Sequence, residues 1–166
     1  LLPYATSVVQ HAGEQDGRPI TAPILLLGGP PNPDRFPADS VVTGKLLVWV
    51  VKWSEVPQFA NAIVLKAMAE GAAGIIVLSD RDTTVVAAVA GQAGRVQVSR
   101  DDAAARKGGI PLVVEVPQAA IIARFPQAQG VFDQLNAAGE MTMLPMGGWE
   151  ATVMAADTVL GTATAP

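Results

Sequence analysis

The side chains of this chain that could do chemistry are carboxylates at two points of the sequence. Asp80 and Asp82 lie on either side of Arg81, and Asp101 is followed directly by Asp102. Paired carboxylates can act as general acid and base, or bind a hard cation such as Ca²⁺. Neither pair lies in a loop with the alternating oxygen ligands of an EF-hand. We therefore interpret them as hydrated turn residues and expect neither a catalytic residue nor a metal site.

The sequence offers few groups for other kinds of catalysis. His11 is the only histidine and cysteine is absent, whereas a zinc site usually needs at least two nitrogen or sulfur ligands. No serine stands in a Gly-x-Ser-x-Gly turn, and a Ser-His-Asp triad would have to use His11. Gly44-Lys45 is not a nucleotide-binding P-loop, because Asp39 and Leu46 replace the residues that the motif requires. We expect no cofactor.

Composition limits the class of protein. Of the 166 residues, 50% are hydrophobic and 16% are charged, which excludes a disordered chain and suits one domain with a continuous core. The net charge of −4 without a basic cluster argues against binding nucleic acid. No uncharged run reaches the length of a transmembrane helix, so no direct membrane insertion is expected. The lack of cysteine leaves the redox compartment open.

Residues 44–80 predict a strand, a helix and a second strand. Residues 45–51 form a continuous apolar run rich in β-branched and aromatic side chains, as in a buried strand. Gly71 predicts a left-handed helix end, and Gly74 begins a second buried strand. The short connections favour a right-handed βαβ unit with parallel strands. The helix between them is indicated by an apolar stripe at Phe59, Ile63 and Ala67, with Ala60, Val64 and Met68 beside it.

This segment resembles the core of a protease-associated (PA) domain. The matching residues are Gly44-Lys45-Leu-Leu-Val, Phe59 at the helix, and Ala67-Met-Ala-Glu-Gly-Ala-Ala-Gly-Ile-Ile-Val77. The family typically has a Gly-Lys strand, a helix ending in an Ala-Gly-Ala-x-Gly turn, and a hydrophobic strand. The resemblance therefore implies structural roles for Gly44, Gly71 and Gly74. Ala60 follows Phe59 in the region where the family commonly has a Lys. The alternative interpretation is a generic βαβ unit of another α/β fold.

Further elements are expected on both sides of this unit. Strands are predicted at 1–10, 20–27, 95–100, 110–116, 119–125, 141–146 and 151–154, and helices at 85–90 and 131–138. Thr83 or Thr84 is expected to cap the first helix, and Gly91 with Gly94 to end it. Residues 28–37, rich in proline, predict a rigid surface loop. Of the three tryptophans, Trp49 is expected in the core, Trp53 partly exposed, and Trp149 packed under a loop after a turn at Gly147-Gly148.

The resemblance implies an α+β fold of PA type. We expect a β-sandwich or open barrel flanked by two or more short helices, with the βαβ unit at about 44–78 at its centre. Residues 1–166 are expected to be one domain excised from a larger protein. Near the end, Asp157-Thr-Val-Leu-Gly161 resembles the Asn-Val-Ile-Gly segment that leads from PA domains into the peptidase domain of M28-class zinc aminopeptidases. Asp157 stands where Asn is usual.

Function is inferred from the same resemblance. It implies a non-catalytic accessory domain of a secreted or membrane-associated peptidase, which gates the active site, influences substrate selection or mediates protein–protein contact. The implied partners are the catalytic domain of the parent protein and a peptide or protein substrate. The implied location is extracellular, periplasmic or cell-surface. One alternative is a peptide-binding module of a non-protease receptor, and another is a small α/β enzyme or ligand binder that uses residues 79–84.

The sequence also predicts where partners would be contacted. Residues 52–54 and 79–84 each follow one of the two parallel strands, so the geometry of a βαβ unit brings them to the same edge of the sheet. An amphipathic aromatic beside an arginine and two carboxylates offers stacking together with oriented hydrogen bonds. The candidate partner-binding residues are Trp53, Asp80, Arg81 and Asp82.

Overall fold

The strands form a single six-stranded sheet. The computed structural model describes residues 9–12, 19–55, 60–93 and 112–153. The strands are β1 (Val9–Ala12), β2 (Ile20–Gly28), β3 (Leu46–Val51), β4 (Gly74–Ser79), β5 (Leu112–Pro117) and β6 (Thr142–Val153). Their order across the sheet is β1-β5-β4-β3-β2-β6. The four central strands run parallel, and β1 and β6 are antiparallel to their neighbours.

Short helices connect the strands. They are α1 (Asp39–Val42), α2 (Ala60–Ala69), α3 (Thr83–Ala93), α4 (Gln118–Ile122) and α5 (Ala128–Asn136), with 3₁₀ turns at Pro33–Arg35 and Trp53–Glu55. None of the helices that the structure describes has the length and hydrophobicity that crossing a bilayer requires.

Helices cover both faces of the sheet because the central strands are apolar on both sides. Every residue of β3 is buried. Successive side chains of a strand point to opposite faces, and β3 accordingly supplies two cores. One core joins Leu47, Trp49 and Val51 to α1 and α2 through Val42, Ile63 and Ala67. The other joins Val48 and Val50 to α5 through Phe132 and Leu135.

The chain is thus a mixed α/β protein with several short helices, which is compatible with the predicted α+β class. The predicted βαβ unit is confirmed, since β3 and β4 pair in parallel with α2 between them in sequence. The strands within the described residues form one open sheet between helices, and no second sheet or closed barrel is found among them. Continuous apolar strands explain this arrangement, because a strand buried on both faces needs a cover on each.

The three glycines expected to be structural lie at the ends of the βαβ elements. Gly44 and Gly71 both adopt positive φ, of 70° and 73°, a region that side chains with a Cβ rarely enter. The Gly44 N–H donates to the Gly71 carbonyl at 2.9 Å, which ties the end of α2 to the start of β3. A Cβ on Gly74 would lie 3.2 Å from the Leu112 carbonyl oxygen, so its small size lets β4 and β5 approach.

The strand predicted at 119–125 is wrong, because Gln118–Ile122 is helical. Pro117 ends β5 and precedes the first turn of α4 with φ −61° and ψ 134°. A proline has no N–H to give to a further ladder position, and its fixed φ suits a helix start. Ile121 and Ile122 pack against the α5 core. A short apolar run does not by itself distinguish a strand from a buried helical turn.

Two strands predicted around a turn at Gly147-Gly148 are one strand. Pro23 pairs with Glu150 but Leu25 pairs with Pro145, so the intervening residues of β6 bulge out of the ladder. Gly148 has φ 79° within this bulge. Trp149 is 61% exposed there and is not packed under a loop, contrary to expectation. On its other side β2 pairs with β3 only from Ile24 onward, so Pro23 lies before that ladder begins.

One other expectation about the end of an element also differs from the structure. Helix α3 begins at Thr83 and continues through Gly91 to Ala93, so Gly91 does not end it. The predictions at 1–8, Phe59, Gly94, 95–100, Asp101, Asp102 and Asp157 lie outside the described residues.

Candidate functional site

Five short stretches of the chain meet at the carboxyl ends of the parallel strands. We call this surface the carboxyl edge, and it comprises residues 29–35, 52–55, 80–82, 117–118 and 137–141. The last of these belongs to it because β6 is antiparallel and Thr142 pairs with Gly28 at the end of β2. Parallel α/β sheets commonly place ligands at this end. The carboxyl edge is therefore the first place to look for a site.

Trp53 and Asp80 are held together by a hydrogen bond between two strand ends. The backbone N–H of Trp53 donates to Asp80 Oδ1 at 2.7 Å. Because Val51 and Ser79 are register partners in the parallel pair, the segments that follow them leave the sheet side by side. The predicted adjacency of residues 52–54 and 79–84 is thus confirmed. Trp53 is half-buried, as expected, and Asp80 is exposed.

Arg81 lies between an aromatic ring and a carboxylate. Its guanidinium carbon is 4.1 Å from the centroid of the Trp53 ring, within the range of a cation–π contact. One guanidinium nitrogen donates to Glu115 Oε2 at 3.2 Å. The Arg81 side chain is only 13% exposed and that of Glu115 is fully buried. Two different contacts therefore fix the guanidinium group at the carboxyl edge.

Glu115 is the central residue that the sequence reasoning did not single out. It lies in β5 and receives a second hydrogen bond, from Ser79 Oγ to Oε1 at 2.6 Å. A buried carboxylate is stable only when it is paired and hydrogen-bonded, and Glu115 is both. The signal in the sequence is a glutamate flanked by valines in a strand that is otherwise apolar. We call Trp53, Ser79, Asp80, Arg81 and Glu115 the Arg81 cluster.

Gln118 fixes the same strand ends from the other core. Its side chain is buried, at 6% exposure, and its Nε2 donates to the Leu78 carbonyl at 2.9 Å. A longer contact of 3.4 Å reaches the Val51 carbonyl. Leu78 immediately precedes Ser79, and Val51 is two residues before Trp53. The backbone beneath the Arg81 cluster is thus held from both sides of the sheet.

Asp82 has a structural role at the start of α3. Its Oδ1 accepts a hydrogen bond from the Thr84 backbone N–H at 2.7 Å, and another from the Thr84 hydroxyl. The hydroxyl bond, followed by the backbone bond, holds the pKa of the Asp82 carboxyl below its ordinary value. The predicted cap was Thr83 or Thr84, but Asp82 makes these bonds. Asp82 thus bonds to the first turn of α3, whereas Asp80 and Arg81 contact Trp53.

A shallow groove opens at the far side of the carboxyl edge. It has a volume of about 360 Å³ and is lined by Pro30, Pro31, Asn32, Arg35, Gly139, Glu140 and Met141. We call it the proline groove. An ion pair between Arg35 and Glu140 joins its two sides. Gly29 lies so close to the Glu140 carbonyl oxygen that an added Cβ would overlap it. Trp49 Nε1 donates to the Gly29 carbonyl at 3.3 Å, which anchors this wall to the core.

Metal binding finds no support in the side chains whose positions are known. Within the described ranges, no group of three or more His, Cys, Asp or Glu residues is arranged to hold an ion. His11, Asp101 and Asp102 are not among the side chains described.

Comparison with known proteins gives no relative for this chain. No family model matches it, and no curated protein or solved structure matches it significantly. Its fold and site are therefore interpreted from its own residues.

Proposed function

We propose that this chain is a non-catalytic accessory domain of the PA type, carried by a secreted or membrane-associated peptidase of M28 type. In that setting it gates the active site, influences substrate selection or mediates protein–protein contact. The proposal starts from the sequence resemblance at residues 44–77. It is supported by the parallel pairing of β3 with β4 and by the left-handed end of α2 at Gly71. The proposed location is extracellular, periplasmic or at the cell surface.

The Arg81 cluster is the observation that carries a recognition function. Arg81 is stacked on Trp53 and paired with buried Glu115, so its side chain is already ordered before a partner arrives. Ordering side chains on binding typically costs about 0.5–1.5 kcal/mol for each long side chain. A surface that is ordered in advance avoids much of that cost. Arginine and tryptophan are also the residue types that most often dominate binding energy at protein interfaces.

An enzyme built on residues 79–84 is less well supported, because the groups that could react are sequestered. Ser79 is fully buried, and its hydroxyl donates to Glu115 Oε1 at 2.6 Å. The other carboxylate oxygen of Glu115 accepts a hydrogen bond from Arg81, so both of its oxygens are already engaged within the protein. A nucleophile must reach its substrate, and this hydroxyl faces the interior.

A receptor module would use the same surface without an attached peptidase. Peptide recognition by stacking and oriented hydrogen bonds would use the accessible residues of the Arg81 cluster, Trp53 and Asp80, together with the adjacent segments. The two proposals differ in what accompanies the domain in the natural protein. A peptidase domain in the same polypeptide favours the first, and a membrane anchor without one favours the second.

The proposal is tested in the full-length natural protein by substituting one tryptophan at a time. Trp53→Ala should change kcat/KM for peptide substrates or weaken docking of the domain on its neighbour. Trp149→Ala is the control, because it removes the same type of side chain from an exposed position in the β6 bulge, whereas Trp53 is half-buried at the carboxyl edge. Thermal unfolding of both variants establishes that the fold is intact. Unaltered substrate selection, kcat/KM and docking in folded Trp53→Ala would reject this surface as the contact site.

A further inference from the structure

The proline groove and the Arg81 cluster belong to one surface. The groove follows β2, and the cluster follows β3 and β4, which are the next two strands of the sheet. Neighbouring strands lie about 4.8 Å apart, so the exits of β2 and β4 are separated by about 10 Å. An extended polypeptide covers about 3.3 Å per residue, and about three residues therefore bridge the two places.

The two arginines of the carboxyl edge are both neutralised within the protein. Arg35 is paired with Glu140, and Arg81 is paired with Glu115. The remaining charged side chains of this edge, within the described residues, are the carboxylates of Asp34, Glu55, Asp80 and Asp82 and the ammonium group of Lys52. The surface that a partner meets is consequently acidic. Its potential would attract a positively charged segment and repel a negatively charged one.

The groove itself suits an apolar side chain. Pro30, Pro31 and Met141 supply nonpolar contact surface beside the polar side chains of the lining, and of these Arg35 is already paired with Glu140. Its volume of about 360 Å³ is at the low end of the range for ligand pockets. A space of this size accommodates part of a partner chain and leaves the rest of that chain on the surface.

We propose that the carboxyl edge binds an extended peptide segment that places an apolar side chain in the proline groove and a Lys or Arg about three residues away, against Asp80 and Trp53. This proposal rests on the proposed recognition function and specifies the partner. The cation contacts the exposed Asp80 carboxylate, and its alkyl stem packs near the aromatic ring. The peptide backbone crosses the ends of β3 and β2, where 3₁₀ turns and loops provide polar groups.

The proposal is tested with four pools of acetylated and amidated octapeptides. All positions are randomised except two that are three residues apart. One of these is Lys or Glu, and the other is Leu or Ser. Binding of the immobilised pools to the chain is measured by biolayer interferometry, and the contacted residues are mapped from backbone amide shifts in ¹⁵N-labelled protein. We expect the Lys–Leu pool to bind at least tenfold more tightly than the Glu–Ser pool, with amide shifts both at Asn32, Asp34 and Arg35, which carry the backbone N–H groups of the groove loop, and at residues 80–82.

Variants separate the groove from the acidic surface. Met141→Ala should reduce the advantage of Leu over Ser, whereas Met143→Ala should not, because Met143 is an exposed methionine of β6 outside the groove lining. Asp80→Asn should reduce the advantage of Lys over Glu, and added NaCl should do the same. Melting curves identify any variant that fails to fold. If a variant does not fold, the amide shifts of the unmodified chain show whether the peptide contacts both the groove and residues 80–82.

Three results would overturn the inference. They are equal binding of all four pools, shifts confined to residues outside the groove, and groove contacts explained by self-association in sedimentation experiments. Shifts at Trp53 and Arg81 without shifts at the groove would leave the proposed function intact and reject only this inference. Groove binding by the Lys–Leu pool, with no effect of Trp53→Ala on the full-length protein, would reject the proposed function instead.

Discussion

Gln118 and Asn136 are joined by their side-chain amides beneath the carboxyl ends of the strands. Asn136 Nδ2 donates to Gln118 Oε1 at 2.8 Å, and Gln118 Nε2 contacts Asn136 Oδ1 at 3.4 Å. Gln118 begins α4 and Asn136 ends α5, so the pair connects both helices of this face. The same Gln118 amide donates to the Leu78 carbonyl. The end of α5 is thereby linked to the strand end that carries Asp80 and Arg81.

Replacing this buried amide should destabilise the protein. Gln118→Leu replaces the amide with an apolar side chain and leaves the Leu78 carbonyl without this donor. Loss of a partner by a buried polar group costs about 1–3 kcal/mol of unfolding free energy. Gln134→Leu, on the exposed surface of α5, should change it by less than about 0.5 kcal/mol. Urea denaturation measures the unfolding free energy of both variants. Equal losses of unfolding free energy would mean that the Gln118 amide contributes no more than a surface group.

Two ion pairs of the carboxyl edge should differ in their contribution to stability. Glu115→Gln leaves the Arg81 charge, in a side chain only 13% exposed, without its counter-charge, which should cost about 3 kcal/mol. Glu140→Gln breaks the Arg35 pair, where the side chains are 55% and 65% exposed, and should cost less than about 1 kcal/mol. Chemical denaturation at low and high salt provides the comparison. A cost for Glu115→Gln as small as that for Glu140→Gln would contradict the inferred burial of the first pair.

The glycine at the end of α2 should tolerate only residues that accept positive φ. Gly71 has φ 73°, and its nearest side-chain neighbour, Thr43, is at ordinary contact distance from an added Cβ. Backbone strain is therefore the main effect of substitution. Gly71→Val should destabilise by more than about 1 kcal/mol, and Gly71→Asn by less, because Asn enters the left-handed region more readily. Differential scanning calorimetry would show identical melting temperatures for the two variants if the helix ended elsewhere.

Two other glycines with positive φ allow the cost of backbone strain to be separated from the cost of steric overlap between an added Cβ and its neighbours. Gly44 has open space around an added Cβ, whereas a Cβ on Gly29 would overlap the Glu140 carbonyl oxygen. Gly44→Ala should cost about 1–2 kcal/mol from backbone strain alone. Gly29→Ala should cost more, and it should also shift the amide resonances of residues 139–141. Equal unfolding free energies for the two variants would mean that the segment around Glu140 shifts to make room for the new Cβ at no measurable cost in stability.

The capping bond of Asp82 predicts a pH dependence. Hydrogen bonds from the Thr84 hydroxyl and backbone N–H hold the pKa of the Asp82 carboxyl below its ordinary value of 3.8. A depressed pKa means that this contribution to stability is complete above the unfolded-state pKa and is lost as the pH falls through the lowered value. Thr84→Val should raise the pKa of Asp82, and Thr84→Ser should leave it low. Carboxyl-carbon NMR titration measures it, and an unchanged pKa in Thr84→Val would exclude the hydroxyl as the main cause.

The sequence was sufficient to predict the centre of the sheet but not its full extent. Residues 46–51 and 74–78 are uninterrupted apolar runs, and the segment between them has an apolar stripe at helical spacing, so local pattern alone identified the βαβ unit. The meeting of Trp53 with Asp80 and Arg81 followed from that unit, since both segments leave adjacent parallel strands. Pattern could not indicate that β5 lies beside β4. The roles of Glu115 and Gln118 depend on that neighbour, and they became visible only in the fold.

The misassigned segments have a common physical origin. Residues 118–122 are apolar over too short a stretch for its period to distinguish a helix from a strand. At Gly147-Gly148 the sequence has the composition of a turn, but long-range pairing of β2 with β6 makes it a bulge. In both places contacts distant in sequence override local preference.

The β6 bulge has a consequence for how the protein behaves in concentrated solution. β6 is the longest strand and lies at one end of the sheet, with no partner strand beyond it among the described residues. A long regular strand in that position would offer other molecules a template for intermolecular β-pairing and aggregation. Here Pro145 has no backbone N–H to offer to another strand. Gly148, with its φ of 79°, interrupts the regular spacing of the backbone N–H groups that follow it. The irregularity that displaces Trp149 from the ladder is thus also a protection against fibril formation.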